Sequence, residues 1–324
     1  MLRVLALLLP VVVVSLAQAQ EGPQQWPVRP VRFLVPFPPG GSADALPRIV
    51  GERLSARFGQ PFVVENRPGA TGAIAGEILF RAEPDGYTFM STPPAPLVIN
   101  PSLFRKLPYD PAQFVPVSVM ASIPSVLLVH PKVAAGSVKD LVAFIQQNPG
   151  RLNYASQGTT SVSFLTTEMF LAAAGGLKVQ HVPYKGTGPA LAAVLAGETE
   201  IFFDNLGTSL PHVRSGRLKA LAVAGERRHA SLPDVPAMNE MYPGFISVAW
   251  FGVVAPPKTS AALAGRLSGS IAEILRMPEV RKRLDDLSAE AIGMGPEDMA
   301  RFMKEEAARW REAIRVSGVK PGEL

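Results

Sequence analysis

Cysteine is absent from all 324 residues, which excludes disulfides, thiolate metal sites, a cysteine nucleophile and N-terminal lipoprotein attachment. Charge is scarce as well. Only 18% of residues are Asp, Glu, Lys or Arg, and the net charge of +5 is spread along the chain with no basic stripe or interleaved aromatics. Nucleic acid is therefore not an expected partner. The four histidines, His130, His181, His212 and His229, form no His-x-His or His-Glu-x-x-His arrangement, so a zinc site lacks its usual spacing. No Gly-x-Ser-x-Gly elbow or Gly-x-x-x-x-Gly-Lys loop occurs, and Gly186-Thr187-Gly188 lacks the third glycine of a dinucleotide fingerprint. The expectation is a chain without metal, cofactor or catalytic residues. Beyond the first twenty residues every apolar run is broken by proline, glycine or charge, so no membrane span is expected.

What is present is apolar bulk. At 47% hydrophobic residues the chain can build two domains with their own cores. It opens with Met1-Leu2-Arg3, an apolar stretch over 4–16, and Ala17-Gln18-Ala19. One early positive charge, a short apolar core and a small-x-small end describe a secretory signal peptide over 1–19, cut after Ala19. The remainder is expected to be an exported, soluble protein, and the lack of cysteine suits a bacterial periplasm.

The most informative stretch is 31–44. Val31, Phe33 and Val35 alternate in a β-forming run, so 31–37 reads as a strand. Pro38, Pro39, Gly40 and Gly41 stop it, Ser42 reads as an N-cap, and Leu46, Ile49, Val50, Leu54 and Phe58 recur at helical spacing. A strand, a glycine turn and a helix N-terminus aim unpaired N–H groups at one spot, which suits an anion. Asp44 in the first helical turn either satisfies those N–H groups or meets a ligand.

Further strand–turn–helix units follow: strands at 62–65, 87–90, 152–155, 179–182, 200–203 and 218–223, and helices at 73–82, 162–174 and, with Pro189 at its first position, up to Leu195. Such alternation argues a mostly parallel sheet flanked by helices. Residues 91–109 read as irregular. Residues 115–129 form a β-rich segment crossing between domains, with 247–254 returning. The chain then reads as helical over 261–276, 279–287 and 296–316, where Met299, Phe302, Met303, Trp310 and Ile314 form a packing face. Three polar loops at strand ends stand out: 36–44, 156–161 and 184–188. In doubly wound sheets ligands bind outside such ends.

These residues match a known pattern. Pro36-Phe37-Pro38-Pro39-Gly40-Gly41, Glu65-Asn66-Arg67-Pro68-Gly69-Ala70, Pro84-Asp85-Gly86-Tyr87, Ile99-Asn100-Pro101-Ser102-Leu103 and Leu107-Pro108-Tyr109-Asp110-Pro111 occur in order. Leu152-Asn153-Tyr154, His181-Val182-Pro183-Tyr184-Lys185-Gly186, Asp204-Asn205-Leu206, Leu232-Pro233-Asp234-Val235-Pro236 and Trp250-Phe251-Gly252 follow. The ordered series resembles the substrate-binding receptors of tripartite tricarboxylate transporters, the Bug family of periplasmic solute-binding proteins. The resemblance implies an α/β, two-domain periplasmic-binding-protein-like (Venus-flytrap, type II) fold. Domain 1 would be discontinuous, 26–121 plus 249–324, and domain 2 would span 122–248. It also implies capture of a small organic carboxylate, a dicarboxylate ahead of an aromatic or apolar acid, and delivery by a monomer to membrane permease subunits.

The loops matching the family's carboxylate seat supply Phe37, Pro38, Gly40, Gly41, Ser42 and Asp44 on one side, and Ser156, Gln157, Gly158, Thr159 and Thr160 on the other. Thr92, Tyr184, Asp204 and Asn205 complete the candidate set. Two departures bear on the pocket: Phe164-Leu165 stands where the family usually has His-Leu, and Ser91-Thr92-Pro93-Pro94-Ala95 is richer in proline than usual. Two other readings stay open. The loaded protein could engage a sensor's outer domain, or the chain could be an exported hydrolase or isomerase using Asp44 or Asp204.

Overall fold

The structure, a computed structural model, describes residues 26–322, so the leader expected over 1–19 lies outside the described residues. β1 (Val31–Val35) ends at Pro36, and α1 (Ser42–Phe58) closes on Gly59, whose φ of 66° lies in the left-handed region open to glycine. β2 (Phe62–Asn66), α2 (Ala73–Phe80) and β3 (Thr88–Thr92) follow, and the strands lie in the order β2-β1-β3, all parallel. With a neighbour on each side and helices on both faces, β1 buries Phe33 and Leu34 completely, worth about 1.5–3 kcal/mol each.

The proline-rich stretch expected to be irregular is instead wound. A π-helical turn (Ala95–Ile99) leads into α3 (Asn100–Leu103), with Pro96 and Pro101 near the starts, where a missing N–H leaves no bond unmade. After β4 (Val115–Val129) the chain runs through α4 (Val138–Gln147), β5 (Asn153–Ser156), α5 (Val162–Ala173), β6 (Gln180–Pro183) and α6 (Thr187–Ala196). Next come β7 (Ile201–Asn205), α7 (Leu206–Arg214), β8 (Lys219–Val223) and β9 (Val248–Ala255). The C-terminal part holds α8 (Ala261–Ile274), α9 (Pro278–Asp286), β10 (Glu290–Met294) and α10 (Pro296–Ser317).

β4 joins the two halves. Val115 to Pro124 pair with β9, and Ala121 and Ser122 also with β10, whereas Ser125 to Val129 pair with β7 and β8. These central pairings are antiparallel, and the parallel order holds among β1, β2 and β3 and among β5, β6 and β7. A strand of 15 residues can cross because it changes partners partway, and Pro116 and Pro124 sit where the ladder has other donors.

Four local expectations need correcting. Gly41, not Ser42, is the N-cap of α1; Ser42 is its first residue, and its buried hydroxyl has no partner. Gly186, with φ 108°, caps α6, so Thr187 is first and Pro189 third, still within the turn whose N–H groups have no intrahelical acceptor. α7 was not expected, because Pro211 interrupts its pattern. β10 falls in the gap left unassigned between the helical readings of 279–287 and 296–316; it is half-exposed and bulged, with Gly293 at φ 68°, so it carries no alternation to read. The aromatic face of α10 does pack: Met299, Trp310 and Ile314 are buried, and the Glu306 carboxylate accepts from the indoles of Trp250 (2.7 Å) and Trp310 (3.1 Å).

Candidate functional site

A cavity of about 470 Å³, part of it open to solvent, lies where the two halves meet. From the first half come Phe37 and Pro38 of the β1–α1 loop, Gly41 and Ala43 at the start of α1, and Pro93 and Ala95 beyond β3. From the second come Gln157, Ser161 and Val162 between β5 and α5, Thr187 at the start of α6, and Asn205 at the end of β7. Ala249 and Phe251 of β9 form the floor.

Four helices begin at this cavity. Gly41, Ser161, Gly186 and Asn205 are the N-caps of α1, α5, α6 and α7, and the cavity is lined by a cap or first-turn residue of each. The first N–H groups of a helix have no intrahelical acceptor, and each N-terminus carries about half a positive charge. Each such end favours a negative group by about 0.3–1 kcal/mol, rising to about 2 when partly buried. The residues lining the cavity include no charged side chain, so any charge at its wall is that of the helix ends.

The halves are in contact across the mouth. A Cβ on Gly41 would sit 3.2 Å from the Thr187 hydroxyl, and one on Gly186 would sit 2.9 Å from Cδ of Pro38. On the other side of the seam, Thr160 Oγ1 donates to Asn100 Oδ1 (2.7 Å), and Asn100 Nδ2 donates to the Thr71 carbonyl (3.1 Å). Glycine at 41 and 186 is thus what allows the two loops to close on each other.

The expected site residues fall into distinct places. Phe37, Pro38, Gly41, Gln157 and Asn205 line the cavity. Gly40 is exposed with φ 98°, and its N–H points back to Asp44 (3.3 Å). Asp44 is buried beneath the loop: Arg48 donates to it at 2.7 and 3.0 Å and Asn66 at 2.9 Å. Burial would raise its pKa, but Arg48, Asn66 and the Gly40 N–H outweigh burial and hold the carboxyl below its usual range. Thr92 is buried and donates to the Pro93 carbonyl (3.0 Å). Gly158 and Thr159 lie in the half-buried part of their loop, and Tyr184 is half-buried, its N–H bound to the Ser156 carbonyl (3.0 Å).

Ser156 is buried with its hydroxyl 2.7 Å from His181 Nε2. The His181 ring lies between Tyr154 and Phe164, each centroid 4.7 Å away, and burial pushes its pKa down to about 4. Phe164, the departure noted in the sequence, therefore packs behind the loop and is not part of the cavity wall, whereas Pro93 is. Asp204 lies beneath the wall, 1% exposed. Its Oδ2 accepts from Ser209 (2.6 Å) and Thr208 (2.7 Å), and its Oδ1 from Gln157 Nε2 (2.9 Å). Burial raises its pKa, and these donors offset only part of that.

The sequence reading missed Thr187, Ser161, Ala43, Ala249 and Phe251. Thr187 and Ser161 lie in loops singled out as polar, and treating Gly186 as a cap would have put Thr187 at a helix start. Ala249 and Phe251 reach the cavity only because β9 crosses behind it, which no local pattern encodes.

The profile described as tripartite tricarboxylate transporter family receptor matches residues 46–319. BugT of Bordetella pertussis is 36% identical over 298 residues, covering 91% of this chain and 91% of its own. Among solved structures, Rpa4515 of R. palustris with adipate superposes with a TM-score of 0.88 at 35% identity, over 91% of this chain and 99% of that one. MatC of Rhodopseudomonas palustris with bound malate gives a TM-score of 0.85 at 31% identity, over 89% and 100%.

Proposed function

The chain belongs to the tripartite tricarboxylate transporter family of solute-binding receptors, and from that membership we propose that it binds a small organic dicarboxylate in the cavity between its halves and hands it to a membrane permease of the tripartite type. The observation that carries the reading is the convergence of four helix N-termini on a cavity without charged side chains. Such a wall binds a carboxylate through N–H and O–H groups, with geometry selecting the anion. Adipate and malate, found with the two solved relatives, are the first candidates.

In this reading Gly41, Ser42 and Ala43 seat one carboxylate at α1, and Gln157, Ser161, Thr187 and Asn205 seat the other. Phe37, Pro38, Ala249 and Phe251 flank the carbon chain between them. The halves, 26–121 with 249–324 and 122–248, would open about β4 and β9. Residues 1–19 would direct export and be removed, leaving a periplasmic receptor. Among the described residues no helix is long and apolar enough to cross a membrane. Binding without chemistry is favoured because the oxygens of Asp44 and Asp204 are engaged by Arg48, Asn66, Thr208, Ser209 and Gln157, in place of an arriving substrate.

A thermal-shift screen over mono-, di- and tricarboxylates tests this. A ligand at about 100 times its Kd adds about 2.7 kcal/mol to stability, a rise of several degrees in Tm. The acid should be recovered unchanged. Absence of a shift with every acid, or conversion of the acid, would refute the proposal.

A further inference from the structure

Resting on that reading of the cavity, we propose that Asp204 is a positioning residue for the ligand: by fixing the side-chain amide of Gln157 it leaves the Thr187 hydroxyl as a hydrogen-bond donor at the cavity wall. Gln157 Nε2 donates to Asp204 Oδ1 at 2.9 Å. That nitrogen carries two protons, and the second is within reach of Thr187 Oγ1 at 3.0 Å. Thr187 therefore accepts from Gln157, and its own single proton is not used in that bond. Gln157 and Thr187 both line the cavity, and Asp204 does not.

The anchor is firm. Thr208 and Ser209, from the first turn of α7, hold Oδ2 at 2.7 and 2.6 Å, so the carboxylate cannot rotate away. No Lys or Arg among the described residues pairs with Asp204, so its side-chain partners are neutral donors alone. Replacing the carboxylate by an amide removes the direction of the relay. The Gln157 amide can then turn over, place its oxygen on Thr187 and take up the hydroxyl proton. The wall that offered a donor would offer an acceptor. A carboxylate ligand needs donors, whereas a primary amide of the same shape can use either, so Asp204 sets the preference for acid over amide.

The test uses adipate and its neutral diamide as probes in calorimetric titrations of the full chain. Thr187→Val should weaken adipate about tenfold while Thr187→Ser stays within about threefold. Asp204→Asn should weaken adipate comparably and lower the acid-over-diamide preference about tenfold, and Asp204→Asn combined with Thr187→Val should bind no worse than Thr187→Val alone. Losses that multiply in the double variant, or an unchanged affinity in Thr187→Val, would overturn the relay. Because Asp204 is buried, Gln157→Met supplies a second variant with the carboxylate intact, and it should show the same loss. A ligand-free measurement separates this proposal from the function it rests on. In side-chain amide NMR, both Nε2 protons of Gln157 should be protected from exchange in the wild type, and Asp204→Asn should shift both. Exchange as fast as that of an exposed glutamine overturns the relay whatever adipate does. Protected protons with no binding of adipate or malate support the relay and count against the dicarboxylate reading.

Discussion

Asp44 and Asp204 stand in comparable places, one in each half, both buried beside a helix that begins at the cavity, yet their surroundings differ. Burial raises the pKa of both. At Asp44 the Arg48 guanidinium, with Asn66 and the Gly40 N–H, more than reverses that effect, and the carboxyl ends below its usual range. At Asp204 the donors are two hydroxyls, an amide and a backbone N–H, all neutral, and the carboxyl stays above its usual range. The difference separates two uses of a buried carboxylate. One matched by a cation adds no net charge near the anion seat and ties its loop in place. One met by neutral dipoles orients them, and the orientation passes to the groups they touch.

The largest effect expected concerns the seam that brings the two regions together. Gly41→Leu keeps an allowed backbone, since φ there is −98°, but its side chain would meet Thr187 before closure. Ligand affinity measured by calorimetry should fall by more than about 100-fold, which is about 2.7 kcal/mol, with Tm of the free protein nearly unchanged. A ligand-induced shift that survives would remove the first loop from the anion seat.

A smaller effect sharpens the contrast in the second half, where burial acts on a base. The folded pKa of His181 is about 4 and its ordinary value is 6.5, so between those pH values the unfolded chain binds a proton that the folded one does not. Stability should therefore be complete above pH 6.5 and decline as pH falls towards 4. The decline should be about 1–2 kcal/mol after allowing for the ring's partial exposure, read from urea unfolding. His181→Phe should flatten that slope.

Asp44→Asn tests the first half. It should cost about 1 kcal/mol of stability through the lost Arg48 pair, since Arg48 is half exposed, while adipate affinity stays within about threefold. A loss of acid-over-diamide preference in this variant would erase the distinction between the two carboxylates. The pH sign differs from that of His181. Asp44 stabilises the fold above its unfolded pKa of 3.8, and that contribution is lost as pH falls through its lower folded value. The mildest variant, Asn100→Ala, removes the Thr160–Asn100–Thr71 bridge across the seam. It should weaken adipate a few-fold, about 0.5–1 kcal/mol, by making the closed form less populated.

Much of the first half was legible because its signals are local. Val31, Phe33 and Val35 specify a strand through their side-chain shapes, although it ends at Val35, before Pro36, two residues short of the 31–37 reading, and Gly59 stops α1 because a left-handed turn there suits glycine. The same logic located the 156–161 and 184–188 loops, and it failed by one residue at Ser42 and by two at Pro189, because capping geometry depends on the approach of the chain. β10 escaped because its order comes from a partner distant in sequence, β4, and α7 because Pro211 interrupts its local pattern.

By itself, then, the sequence determined an α/β chain of strand, glycine turn and helix units, since steric preference and hydrogen-bond capacity act over a few residues. Only the tertiary structure decided that four of those helices start at one cavity and that Phe251 closes its floor. Those outcomes follow from β4 and β9 crossing between the halves, and the pairing of residues more than a hundred positions apart leaves no local trace.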